Sequence, residues 1–92
     1  MAKLTATQVK PALATVPEWK THRSAIRRTY KFNDFPAAVR FVDAVAKIAE
    51  KAGHHPDIDI RWNKVTLTLT THDEGGLTQK DFELAKRADR LA

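Results

Sequence analysis

Three of the four histidines, His54, His55 and His72, fall in the second half of the chain, with two carboxylates, Glu50 and Asp81, spaced around them. Imidazole is the side chain whose proton moves near neutral pH. The chain has no cysteine, which excludes a thiol nucleophile and a disulfide framework. Ser24 is the only serine and lacks a nucleophile-elbow context. No glycine-rich phosphate loop appears. A zinc site would need ligands that converge tetrahedrally. Pro56 biases His55 toward extended backbone, and adjacent residues in that state point to opposite sides. His54 and His55 are therefore poorly placed to chelate one ion, and a metal site is not expected. General acid–base catalysis by imidazole is the chemistry that remains.

Each of these residues also has a structural explanation. A histidine near a helix C-terminus is favoured by the helix dipole alone, which covers His54 and His55. Asp81 stands three residues after Thr78, the acidic position of a capping box. Glu50, in the last turn of its helix, is unfavourable for the dipole, which hints at a role. Trp62 fits a core or interface position as well as the wall of a substrate site. His22 lies outside the group and reads as ordinary surface.

The elements that must position these groups follow from periodicity. Thr5-Ala6-Thr7-Gln8 has the capping-box form and opens a short helix to about Leu13, with Pro11 expected to interrupt it. Pro17 ends a linker. Trp19 to His22 suits a short strand, and Ala25 to Phe32 a better one. On that strand Ile26, Tyr30 and Phe32 share a face, while Ala25, Arg27, Thr29 and Lys31 share the other. Arg28 interrupts the apolar face, either by reaching over an edge, which is favoured, or by contacting an anionic group.

Asp34 caps a helix with Pro36 in its first turn, running to about Ala52, and Gly53 ends it as a left-handed cap. Phe35, Ala38, Val39, Val42, Val45, Ala46 and Ala49 recur at helical spacing. A second stripe of Phe41, Ala44 and Ile48 widens the apolar face. That width fits a subunit contact as well as deeper burial within one domain. Asp57 to Trp62 alternates, with Ile58, Ile60 and Trp62 expected inward. Asn63-Lys64 is read as a reversal, and Val65, Leu67 and Leu69 form the inner face of a run to Thr71, making a hairpin. A regular strand would leave His72 accessible, on the Thr66, Thr68 and Thr70 side. Thr78 caps a final helix, Leu77 and Phe82 form a hydrophobic staple, and Leu84, Ala85, Ala88 and Leu91 form its buried stripe.

The order helix, two strands, helix, two strands, helix predicts an α+β fold: a four-stranded antiparallel sheet with helices packed on one face. Ninety-two residues fit one domain, residues 1–92, with a thin core for which oligomerisation is a common remedy. The formal net charge of +5 is read as a solvated basic surface. A nucleic-acid face is not supported, because no aromatic-interleaved RNA motif accompanies the charge. No apolar run reaches membrane-spanning length, and the N-terminal segment lacks the apolar core of a secretory signal. A cytoplasmic location is expected.

Glu50, His54-His55-Pro56, Trp62, His72 and Asp81, in that order and spacing, resemble the signature of the pterin-4a-carbinolamine dehydratases. Trp62-Asn63-Lys64-Val65 and Thr71 to Thr78 resemble that family as well, and the similarity runs from about Trp19 onward. The resemblance implies the same α+β domain, assembled as a homodimer or homotetramer, for which the helix over 34–52 is the candidate contact. It implies dehydration of 4a-hydroxytetrahydrobiopterin to quinonoid dihydropterin, without cofactor, in tetrahydrobiopterin recycling for an aromatic amino-acid hydroxylase. Carried over by position, His54 and His72 are candidates for proton transfer. His55 would bind and orient the pterin, Asp81 would hold a histidine tautomer or the pterin edge, and Glu50 and Trp62 would support the site. Animal members of the family also act as dimerisation cofactors of a homeodomain transcription factor, so the alternative is a non-catalytic interaction module.

Overall fold

The computed structural model describes residues 2–92. Its elements are α1 (Ala6–Ala14), β1 (Lys20–His22), β2 (Ala25–Lys31), α2 (Phe35–Ala52), β3 (Asp57–Arg61), β4 (Lys64–Leu69), a 3-10 turn (His72–Glu74) and α3 (Gln79–Leu91). The four strands form one antiparallel sheet in the order β1-β2-β4-β3. This is the expected α+β arrangement. Ile26, Tyr30, Val65, Leu67 and Leu69 are buried on one face of the sheet, together with Ala38, Phe41, Val45 and Ala49 of α2 and Phe82, Leu84, Ala85 and Ala88 of α3. The other face carries threonines and charges, with Thr29 and Thr66 hydroxyls 2.8 Å apart across β2 and β4.

The caps act where the sequence puts them. The Thr5 capping box opens α1, which continues through Pro11. Proline removes one intrahelical bond, and α1 tolerates this because no residue in it is buried and water can satisfy the freed carbonyl. The Asp34 carboxylate accepts from the Ala37 amide at 2.8 Å. Gly53 closes α2 at φ +64°, and the Gly53 and His54 amides donate to the carbonyls of Glu50 and Ala49, both at 3.1 Å. That closure fixes where His54 leaves the helix.

Several side chains differ from expectation. Phe41, on the second stripe of α2, takes the deeper-burial alternative and lies in the domain's own core, its ring tilted against Tyr30 at 4.6 Å between ring centroids. Phe35, on the first apolar stripe, is exposed. Leu91 is exposed because α3 ends there, beyond the sheet. Ile58 and Ile60 pair with Leu67 and Val65 and so lie on the inner face, yet they are 38% and 39% exposed. The reason is position, for β3 is an edge strand that the helices do not cover. The reversal of the hairpin is Trp62-Asn63, since Arg61 pairs with Lys64. Trp62 takes φ +54° in that turn and is 71% exposed, not inward.

Arg28 takes the less favoured of its two alternatives. It stays on the inner face of an interior strand and meets an anion, the Asp89 carboxylate, at 2.8 Å. The same Asp89 oxygen accepts from Trp19 Nε1 at 3.0 Å and from the Tyr30 hydroxyl. Arg28 also lies 4.3 Å from the centroid of the Tyr30 ring. This hub pins the last turns of α3 to β2 and to the segment before β1.

Candidate active site

The site forms where the C-terminus of α2 meets the N-terminus of α3. His54 Nε2 lies 2.6 Å from Asp81 Oδ1, with the histidine side chain 11% exposed and the aspartate 0%. The second Asp81 oxygen accepts from the Thr78 amide and the Thr71 hydroxyl, each at 2.9 Å. Thr71 spends its only hydroxyl proton on Asp81. The 2.9 Å contact between the Thr71 and Thr78 hydroxyls must then be donated by Thr78. Asp81 is acceptor-only when ionised, so the His54 nitrogen facing it carries a proton and Nδ1 is the nitrogen left to exchange one. Asp81 is therefore both the capping-box residue of α3 and the partner of a histidine.

A hollow of about 310 Å³ is lined by His54, His55 and His72, with Gly53, Thr70, Thr71, Asp73 and Lys80 completing its wall. The adjacent His54 and His55 and the separate His72 thus border one solvent-reachable space. His55 differs from its neighbour in setting. Its Nε2 meets Glu50 Oε1 at 2.8 Å, with side chains 64% and 81% exposed. His54 and His55 have separate partners, and among the described residues no three His, Asp or Glu side chains converge to hold a metal ion. His72 is exposed, as expected, by a different route. β4 ends at Leu69, Thr71 forms a bridge with Gly76, and His72 opens the 3-10 turn between them. Glu50 reaches the site only through His55, and Trp62 does not line the hollow.

Sequence reasoning does not single out Thr71 and Thr78 as site residues. Each has an ordinary local role, as a strand-end threonine and a helix cap. Thr78 meets Asp81 through the capping box, but Thr71 joins them beside the Thr71–Gly76 bridge, which nothing in the spacing signals.

The chain matches the family model for pterin 4 alpha carbinolamine dehydratase over residues 2–91. It is 52% identical over 89 residues to a relative from Roseiflexus sp. (strain RS-1), covering 97% of this chain and 96% of that one. It is 53% identical over 85 residues to a relative from Nocardia farcinica, covering 92% and 90%. Both are provisionally named pterin-4-alpha-carbinolamine dehydratases. Among solved structures, a transcriptional coactivator/pterin dehydratase from Brucella melitensis superposes with a TM-score of 0.94 at 36% identity over 98% of both chains. A pterin dehydratase-like protein described as a RuBisCO assembly factor in the alpha-carboxysome gives a TM-score of 0.68 at 25% identity, over 80% of this chain and 86% of that one. With a family model spanning nearly every residue and half the positions shared with its relatives, the chain belongs to the pterin 4 alpha carbinolamine dehydratase family.

Proposed function

We propose that this protein dehydrates 4a-hydroxytetrahydrobiopterin to quinonoid dihydropterin and water by histidine general acid–base catalysis, in tetrahydrobiopterin recycling. The observation that carries the reading is the buried Asp81–His54 pair on the wall of a hollow that His55 and His72 also border. The hydroxyl leaving the saturated ring carbon takes a proton and departs as water. The neighbouring ring nitrogen loses a proton. Imidazole serves either step at neutral pH. Asp81 fixes the His54 tautomer by accepting a hydrogen bond from its Nε2. His72, exposed on a short turn, is the second proton-transfer group. His55 binds and orients the pterin, with Glu50 restraining its ring. The wall role of Trp62 is set aside, because Trp62 does not border this hollow.

The test is the rate at which the carbinolamine's ultraviolet absorbance decays on adding protein. His54→Ala and His72→Ala should each slow it, with circular dichroism unchanged. A double variant as fast as the native protein would remove the proposal.

An interaction role has one observation in its favour: Ile58, Ile60 and Trp62 form an exposed apolar strip on the edge strand and its turn. A homodimer or homotetramer using this strip, or the outer face of α2 over 34–52, is the simplest use of it. Sedimentation at graded concentrations separates these cases, since a monomer that stays monomeric leaves the strip for a different protein, such as the hydroxylase served by recycling. No helix among the described residues is long and apolar enough to cross a membrane, and a cytoplasmic setting fits the proposed chemistry.

A further inference from the structure

A second hollow, of about 460 Å³, lies beside α1 and apart from the imidazoles. Its volume falls in the range of small-molecule sites, about 300–1,000 Å³. Ala6, Val9, Lys10 and Leu13 line it at helical spacing along one stripe of α1. Leu4 and Leu77 complete an apolar floor, and Lys3, Lys10 and Arg23 stand around it. Among the described residues, no acidic side chain lines this hollow and none of these three cations forms an ion pair. The imidazole hollow, by contrast, includes Asp73.

The walls are anchored. The Leu4 amide donates to the Leu77 carbonyl at 2.7 Å, which ties the segment before α1 to the loop before α3. The aliphatic stem of Lys3 crosses Gly76 so closely that a Cβ there would meet it at 3.1 Å. On the far side, the Ser24 carbonyl accepts from the Thr70 hydroxyl at 2.7 Å. Arg23 holds the β1–β2 turn at φ +58°, a conformation more comfortable for glycine or asparagine. A long cation therefore occupies a turn position where a small residue would be easier to accommodate.

We propose that this hollow binds a small amphiphilic anion, specifically a medium-chain carboxylate, with its chain on the Leu4, Val9, Leu13 and Leu77 floor and its head group among Lys3, Lys10 and Arg23. An uncharged apolar ligand would leave the cations unused, and a cationic one would be repelled by all three. The site is independent of the dehydratase reading and is tested without the enzymatic assay.

The experiment titrates the isotopically labelled full chain with sodium decanoate below its micellar range, following backbone amides, with calorimetry alongside. Saturable one-to-one binding is expected, with shifts concentrated at Leu4, Val9, Leu13 and Leu77. The Lys10→Glu/Arg23→Glu double variant should weaken binding by about tenfold or more, as attraction at two rim positions becomes repulsion. Both side chains are exposed, so the remaining amide spectrum should be retained. Decyltrimethylammonium should bind at least about tenfold more weakly than decanoate. The proposal is overturned by scattered, non-saturating shifts, by equal affinity for the cation, or by unchanged affinity in the double variant. It is also overturned if the same amides shift with protein concentration alone, which would mean that a second copy of the chain fills the hollow.

Discussion

Changing Asp81 to asparagine alters one atom of the site and should reverse the polarity of His54. One side-chain oxygen of Asp81 is held by two donors, the Thr78 amide and the Thr71 hydroxyl, each at 2.9 Å. An asparagine there keeps both bonds only by placing its carbonyl oxygen on that side. Its NH₂ then faces His54 Nε2, which has Asp81 Oδ1 at 2.6 Å in the native protein. The imidazole must accept through Nε2 and carry its proton on Nδ1. The neutral ring loses its free basic nitrogen, and the imidazolium loses a buried counter-charge. General acid–base catalysis contributes about 10²–10⁴ in rate, so a fall of that order is expected in the carbinolamine decay assay. Three charge-assisted hydrogen bonds become neutral ones, at about 1 kcal/mol each, and relief from burying a charge offsets part of this. The midpoint of thermal unfolding should fall by about 4–8 °C for each kcal/mol lost. Ring-nitrogen chemical shifts of His54 report the tautomer directly. A native rate together with a flipped tautomer would refute the role assigned to His54, and an unflipped tautomer would refute the hydrogen-bond polarity assigned to the Asp81–His54 pair. Thr71→Val leaves Asp81 an acceptor and should leave the His54 tautomer as in the native protein.

Three further outcomes follow from other parts of the molecule. Burial, then the hydrogen bond to Asp89 and its charge, raise the ionisation of Tyr30 far above its ordinary value of 10.0. Because the folded value exceeds the unfolded one, its contribution is intact below about pH 10 and is lost as pH rises further. Tyr30 is the only tyrosine, so tyrosinate absorbance during alkaline titration should appear together with unfolding, and Tyr30→Phe should flatten that part of the stability profile. Glu50→Gln should change the Michaelis constant by no more than about threefold, because the Glu50–His55 pair is exposed on both sides. Gly53→Ala should cost about 1–2 kcal/mol in denaturant unfolding, since an added Cβ meets nothing within 4 Å and the penalty is purely that of φ +64°.

The sequence was most legible where one residue type has one use. Asp34, Gly53 and the Thr5 capping box set helix ends through bonds between near neighbours, and those ends stand as read. Alternation correctly put Ile58 and Ile60 on the face of Leu67 and Val65. It did not report coverage, because period-two patterning defines a face and says nothing of whether a helix lies over it. Strand order decides that, and β3 is an edge. Arg28 posed the same difficulty in reverse. A charge on an apolar face is anomalous until its partner is known, and that partner, Asp89, is 61 residues away.

Candidate site residues were visible as types and invisible as a circuit. Histidine is scarce in this chain and stands out. Threonine on a strand or before a helix does not. Yet it is Thr71 and Thr78 that hold Asp81 in place, and the Thr71–Gly76 bridge that brings the His72 turn beside the His54 segment. The junction also explains why a fully buried carboxylate is tolerated in so small a domain. Asp81 lies in the first turn of α3, where the helix dipole favours an anion, and His54 follows the end of α2, where it favours a cation. The two helix ends stabilise the charge separation that proton transfer at His54 would use. The carboxylate proposed to position His54 therefore also closes the contact between α2 and α3, and activity and packing at Asp81 should resist separation by mutation. At His72, exposed on its own short turn, they should separate cleanly.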